Sequence, residues 1–176
     1  MPKLVEANVS VNLTKNGLLL KFLTLVKNLS IDLYPSMVLH LTDRFVSNRL
    51  LYLEIDACYN IRSSLLLSLL KDLPKLRALK IYNTYPKSSV EAQPCLASEL
   101  SSVPECLSFH LETLQWIDYS GTRGEKEVAV YILKNARCLK TATISLRSMA
   151  IENDLMIKEL KSMAKASTSC QLITEF

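Results

Sequence analysis

Glycine is scarce, with three in 176 residues. That argues against glycine-rich phosphate loops, which need backbone free of Cβ, and against all-β folds built on tight turns. The five cysteines (Cys58, Cys95, Cys106, Cys138, Cys170) include no C-x-x-C pair and are odd in number. Zinc sites and disulfide frameworks call for closer or even sets. Reduced thiols in an intracellular compartment, cytoplasmic or nuclear, are therefore expected. No apolar run reaches the roughly 18 residues of a membrane span. The N-terminal MPKLVEANVSVN places Pro2 and Glu6 where a signal peptide needs an apolar stretch, so the sequons at Asn8, Asn12 and Asn28 carry no weight. Charge of one sign never forms a run: 21 Lys and Arg against 17 Asp and Glu are scattered, with a net charge of +4. Nucleic-acid partners, membrane partners and cofactors are accordingly not expected.

What is present is repetition. The phrase apolar-x-x-apolar-x-apolar appears as Leu4-Ala7-Val9, Val26-Leu29-Ile31, Leu50-Leu53-Ile55, Leu76-Leu79-Ile81, Leu111-Leu114-Trp116 and Leu139-Ala142-Ile144. The first members are spaced by 22, 24, 26, 35 and 28 residues, near the roughly 20–29 of leucine-rich repeats. The last two apolar residues of each phrase share one face of a strand. One such unit cannot bury that face alone, so neighbours must stack. Parallel stacking then requires a crossover after each strand. Segments 16–25 and 63–72 read as crossover helices, the second ended by Pro74. Segment 83–103, with its prolines and serines, reads as an irregular insertion. The expected architecture is α/β: a short leucine-rich-repeat solenoid, parallel sheet on the concave side, helices and loops on the other. A helix over 153–167 would cap its C-terminal end, and Leu172 and Ile173 could add a short last strand.

The residues between the apolar positions test this independently. They read Asn28, Ser30, Asp32; Tyr52, Glu54, Asp56; Ala78, Lys80, Tyr82; Thr113, Gln115, Ile117; and Thr141, Thr143, Ser145. Fully buried parallel strands would be near-continuously apolar, so one sheet face meets solvent. Asp32, Tyr52, Glu54, Asp56, Lys80, Tyr82 and Gln115 are the candidate protein-binding positions on it, because tyrosine favours interfaces and solenoids bind on such surfaces.

The stretch 103–146 is the most specific. VPECLSFHLETLQW is followed by DYSGTRGEKEVAVYILKNARCLK and TATISL. Glu125 and Glu127 suit the first turn of a helix and Lys134 and Arg137 its last, while Val128, Tyr131, Ile132 and Ala136 recur at helical spacing. These residues, with LPKLRALKIYN upstream and STSCQLITEF downstream, resemble the FBD domain of plant F-box/FBD/leucine-rich-repeat proteins. The resemblance divides the chain into a leucine-rich-repeat-like region, 1–102, and an FBD-like domain, 103–176, that continues the solenoid. It implies a non-catalytic protein-interaction module, the substrate-recognition half of an F-box-type ubiquitin-ligase receptor. In such proteins an F-box binds a Skp-type adaptor. No F-box precedes Leu4, so direct adaptor binding is not expected, and a truncated relative without ligase role is the alternative.

No catalytic set assembles. Cys106 and His110 are four apart, a spacing that would align them on a helix, but Pro104 and the following strand argue against one. Trp116 falls at a core position. Gly121 suits a turn with positive φ. The glutamates after Gly121 and Gly124 would repel a bound anion.

Overall fold

The computed structural model describes residues 6–9, 26–32, 46–56, 63–82, 102–147 and 153–175. The proposed helix over 16–25 and most of the 83–103 insertion lie outside them. Seven strands form one sheet: β1 Glu6–Val9, β2 Asn28–Asp32, β3 Tyr52–Asp56, β4 Ala78–Tyr82, β5 Thr113–Tyr119, β6 Thr141–Leu146 and β7 Gln171–Glu175. Every pairing is parallel and the spatial order equals the chain order. Four described helices fill crossovers: α1 Ser63–Lys71, α2 Glu105–Phe109, α3 Arg123–Asn135 and α4 Asn153–Ser162. The sheet runs without interruption across residue 103.

The phrase explains the register. Leu29, Leu53, Leu79, Leu114 and Ala142 lie side by side on β2 to β6, as do Ile31, Ile55, Ile81, Trp116 and Ile144. All ten are buried, and so are the leading residues Val26, Leu50, Leu76, Leu111 and Leu139. A one-residue slip would turn these ladders to solvent. Each buried Leu or Ile is worth about 1.5–3 kcal/mol over its exposed state, so the apolar ladder specifies the stack. Leu66, Leu67, Leu69 and Leu70 of α1 and Val128, Ala129, Ile132 and Leu133 of α3 belong to the same core. α1, α2 and α3 touch one another, forming one helical layer.

Three expectations change. The helix α2 exists despite Pro104, which sits at its N-cap with φ −53 and ψ 135. Proline is tolerated there because the first N–H groups of a helix have no intrahelical acceptor. The C-terminal helix ends at Ser162 rather than 167; Ser167 instead turns inward and donates its hydroxyl to the Leu139 carbonyl at 2.6 Å. That helix is not the end of the stack either. It is the crossover to β7, which pairs with β6 and forms the sheet edge.

β5 also carries an irregularity. Its register with β6 shifts between Trp116 and Tyr119, and Asp118 has φ 59. The extra residue is a bulge, and it turns Tyr119 inward against Trp116, edge to face at 5.2 Å. Gly121, with φ 68, follows; a Cβ there would collide with the Met156 side chain.

Candidate functional site

The outward positions of β2 to β6 form three transverse rows. Asn28, Tyr52, Ala78, Thr113 and Thr141 make the first. Ser30, Glu54, Lys80, Gln115 and Thr143 make the second. Asp32, Asp56, Tyr82 and Ile117 make the third. Adjacent members are one strand spacing apart, about 4.8 Å. All seven positions singled out in the sequence thus share one face of the sheet. For Asp32 this is a statement about the backbone register alone.

Four of them interact. The Tyr52 hydroxyl donates to Glu54 Oε2 at 2.7 Å. Lys80 Nζ lies 3.8 Å from the same oxygen and 4.6 Å from the centre of the Tyr82 ring. Burial, then the hydrogen bond to Glu54, raises the Tyr52 hydroxyl above its ordinary range. Hydrogen bonding to Tyr82 and the Glu54 carboxylate hold the Lys80 ammonium up, against the desolvation that lowers it. Lys80 and Glu54 are about one quarter exposed. The group is therefore preordered yet reachable, with a tyrosine at each end and one cation over a ring. Gln115 lies beside Lys80 in register, and Asp56 ends the neighbouring strand.

Cys106 and His110 are not brought into a catalytic arrangement. The Cys106 thiol is buried, donates to the Leu70 carbonyl at 3.3 Å, and is pushed up to about 12 by burial. A thiol held protonated is a poor nucleophile. The His110 main-chain N–H donates to the Cys106 carbonyl, which closes α2. Among the described residues no group of three His, Cys, Asp or Glu could hold a metal ion, and no helix is long and apolar enough to cross a membrane. An open cleft of about 450 Å³ lies at the start of α3, lined by Gly121, Arg123, Lys126, Glu127 and Val130. The N-terminus of α3 is already occupied. Thr122 accepts from the Glu125 N–H, and Glu125 accepts from the Thr122 N–H at 2.7 Å, a complete capping box.

One group escaped the sequence reading. Glu112, just before β5, is 3.4 Å from Arg77 Nη1 and 2.5 Å from Lys140 Nζ. The Lys140 hydrogen bond, then the two positive charges, draws the Glu112 carboxyl below its ordinary range. The three residues are far apart in sequence, and the signal was their common place ahead of a strand.

Fold and surface together define a class: an α/β protein with one parallel sheet in chain order and one solvated sheet face. The FBD family model matches residues 98–144, a span holding α2, β5, α3 and most of β6. An F-box/FBD/LRR-repeat protein of Arabidopsis thaliana is 63% identical over 177 residues, covering 100% of this chain and 41% of its own length. An FBD-associated F-box protein of the same plant is 44% identical, covering 99% of the chain and 40% of its own length. A further F-box/FBD/LRR-repeat protein from that plant is 40% identical over 98% of the chain and 42% of its own length. The chain thus carries an FBD match and is similar, along nearly its whole length, to part of these plant F-box/FBD/LRR-repeat proteins. It spans about two fifths of the length of the curated relatives it matches. No solved structure matches.

Proposed function

We propose that the chain is a non-catalytic protein-interaction module: a short leucine-rich-repeat array with its polar sheet face on the concave side. Its role is to hold a protein destined for ubiquitination, as the recognition part of an F-box-type receptor. The observation that carries this is the Tyr52–Glu54–Lys80–Tyr82 group, ordered before any partner arrives and set in the middle of a register-aligned polar face. Side chains held in place lose less entropy on association, and tyrosines are frequent anchors of interfaces. The relatives' names place F-box and LRR elements in one polypeptide, which favours a recognition role over a catalytic one.

The test compares proteins recovered from plant extract on the unaltered chain and on a Tyr52→Ala/Tyr82→Ala variant. Loss of two anchors is expected to lower recovery of a specific partner about tenfold or more. The partner should accumulate in plants lacking the gene. An identical set of proteins on both baits would sink the assignment of binding to this face.

A further inference from the structure

Cations that are scattered in the sequence converge in the fold. Because all strands are parallel and in register, the residues just ahead of each strand share one rim of the sheet. Main-chain hydrogen bonds trace it: Leu51 and Tyr52 donate to the Lys27 carbonyl, Arg77 and Ala78 to Leu51, Glu112 and Thr113 to Arg77, and Lys140 and Thr141 to Glu112. Lys27, Arg77 and Lys140 therefore lie along one line, with Arg49, Lys75 and Arg137 two or three residues upstream. All six are exposed. Against them the described residues at this rim carry Glu112 and Asp72. The opposite strand ends carry more acid, with Asp56 closing β3, Asp118 near the end of β5 and Glu175 closing β7 against Arg147 after β6.

We infer that this basic rim docks an extended acidic segment of a partner protein, its carboxylates falling in two clusters. The distance from β2 to β6 is four strand spacings, about 19 Å, which about six residues of extended chain cover. The two-cluster pattern follows from Glu112, whose carboxylate occupies the line between Arg77 and Lys140. A nucleic-acid strand, charged at every step, would be pressed against that carboxylate. A peptide can cross it with neutral residues. At the Arg137 end, Phe109 is 63% exposed, and its carbonyl accepts from the Cys138 thiol at 3.3 Å. An apolar side chain after the second acidic cluster would cover that ring. The tyrosine face begins one residue further along each strand and contributes none of the six cations, so neither proposal depends on the other.

The probe is a fluorescein-labelled peptide of about eight residues, acidic on both sides of a Gly-Gly step and ending in Phe, followed by anisotropy on the 176-residue chain. Binding is expected at low ionic strength and should weaken about tenfold as salt rises from about 30 to about 300 mM, because exposed charges are screened. Arg77→Glu/Lys140→Glu and Lys27→Glu/Arg49→Glu should each weaken it about tenfold or more, while Tyr52→Ala/Tyr82→Ala leaves it unchanged. If a charge reversal does not fold, the neutral Arg77→Gln/Lys140→Gln pair replaces it, with a smaller loss in the same direction. Glu112→Gln should tighten binding. Absence of binding at low salt, binding indifferent to both rim variants, or a thymidine oligonucleotide of equal length binding the unaltered chain as tightly would overturn the inference.

Discussion

The β3–α1–β4 unit and the β5–α3–β6 unit are built on the same phrase and pair in the same way, yet they are held differently. In the first, β3 and β4 bury alternate residues without a register fault, and α1 is leucine on nearly every side that meets protein. In the second, the strand bulges at Asp118, Gly121 takes a left-handed turn, and Thr122 and Glu125 close a capping box. Arg123 pairs with Glu127 at 3.0 Å, and Lys126 reaches Glu159 of α4 at 2.6 Å. The earlier unit rests on burial and on the Tyr52–Glu54–Lys80 contacts across its strands. The FBD unit adds local polar instructions that fix where its helix starts and how it leaves the strand.

The first way to break that contrast is to truncate equivalent ladder residues. Leu79→Ala and Leu114→Ala are neighbours in register and both essentially inaccessible. Each is expected to cost about 3 kcal/mol, the usual range for a buried leucine including its cavity. Urea denaturation would measure both. Equal costs mean that the polar devices add to burial without replacing it. A much smaller cost for Leu114→Ala would show that the FBD unit stands on its local devices instead.

The seam between the units gives the next effect. The Cys106 thiol of α2 donates to Leu70 of α1, and burial pushes it from an ordinary 9.0 up to about 12. In the unfolded chain the thiol ionises first as pH rises, so the unfolded state binds fewer protons. Stability should therefore be intact below about pH 9 and fall between about 9 and 12. The buried Tyr119 hydroxyl, also raised by burial, adds to the same alkaline loss. Cys106→Ala should flatten the first part of that slope in melts taken across this window. At neutral pH a maleimide should modify the exposed Cys138 well before Cys106.

Much of this was legible in the sequence, for a physical reason. The period-two alternation of a strand and the spacing of the phrase are both local, so six strands, and the outward residues of five of them, can be placed from spacing alone. What escaped depends on position in space or on single residues of special geometry. α2 is hidden in the sequence by Pro104, which looks like a barrier although proline fits the start of a helix. β7 as the true edge was underweighted because its core-facing residues are Leu172 and Thr174, too weak a pattern to read. The Asp118 bulge leaves no compositional mark. The basic rim was invisible because Lys27, Arg77 and Lys140 become neighbours only when the repeats are superimposed.

The smallest effect tests the capping box itself. Thr122 supplies a main-chain N–H to Glu125 Oε2 at 2.7 Å, a hydroxyl to the same oxygen at 2.9 Å, and an oxygen to the Glu125 N–H at 3.4 Å. Glu125 is 9% exposed, so its carboxylate depends on these donors for solvation that water supplies elsewhere. Thr122→Ala removes the hydroxyl and its two bonds but keeps the main-chain donor. The expected cost is about 1 kcal/mol. Thr122→Ser restores the oxygen and should recover nearly all of it. The loss should appear in faster hydrogen exchange of the first α3 amides, with those of α1 unchanged, because the cap acts on one helix end only. If α3 exchange and stability are unaffected by Thr122→Ala, then burial of Val128, Ala129 and Ile132 sets the helix by itself. The FBD unit would then be held in the same way as β3–α1–β4.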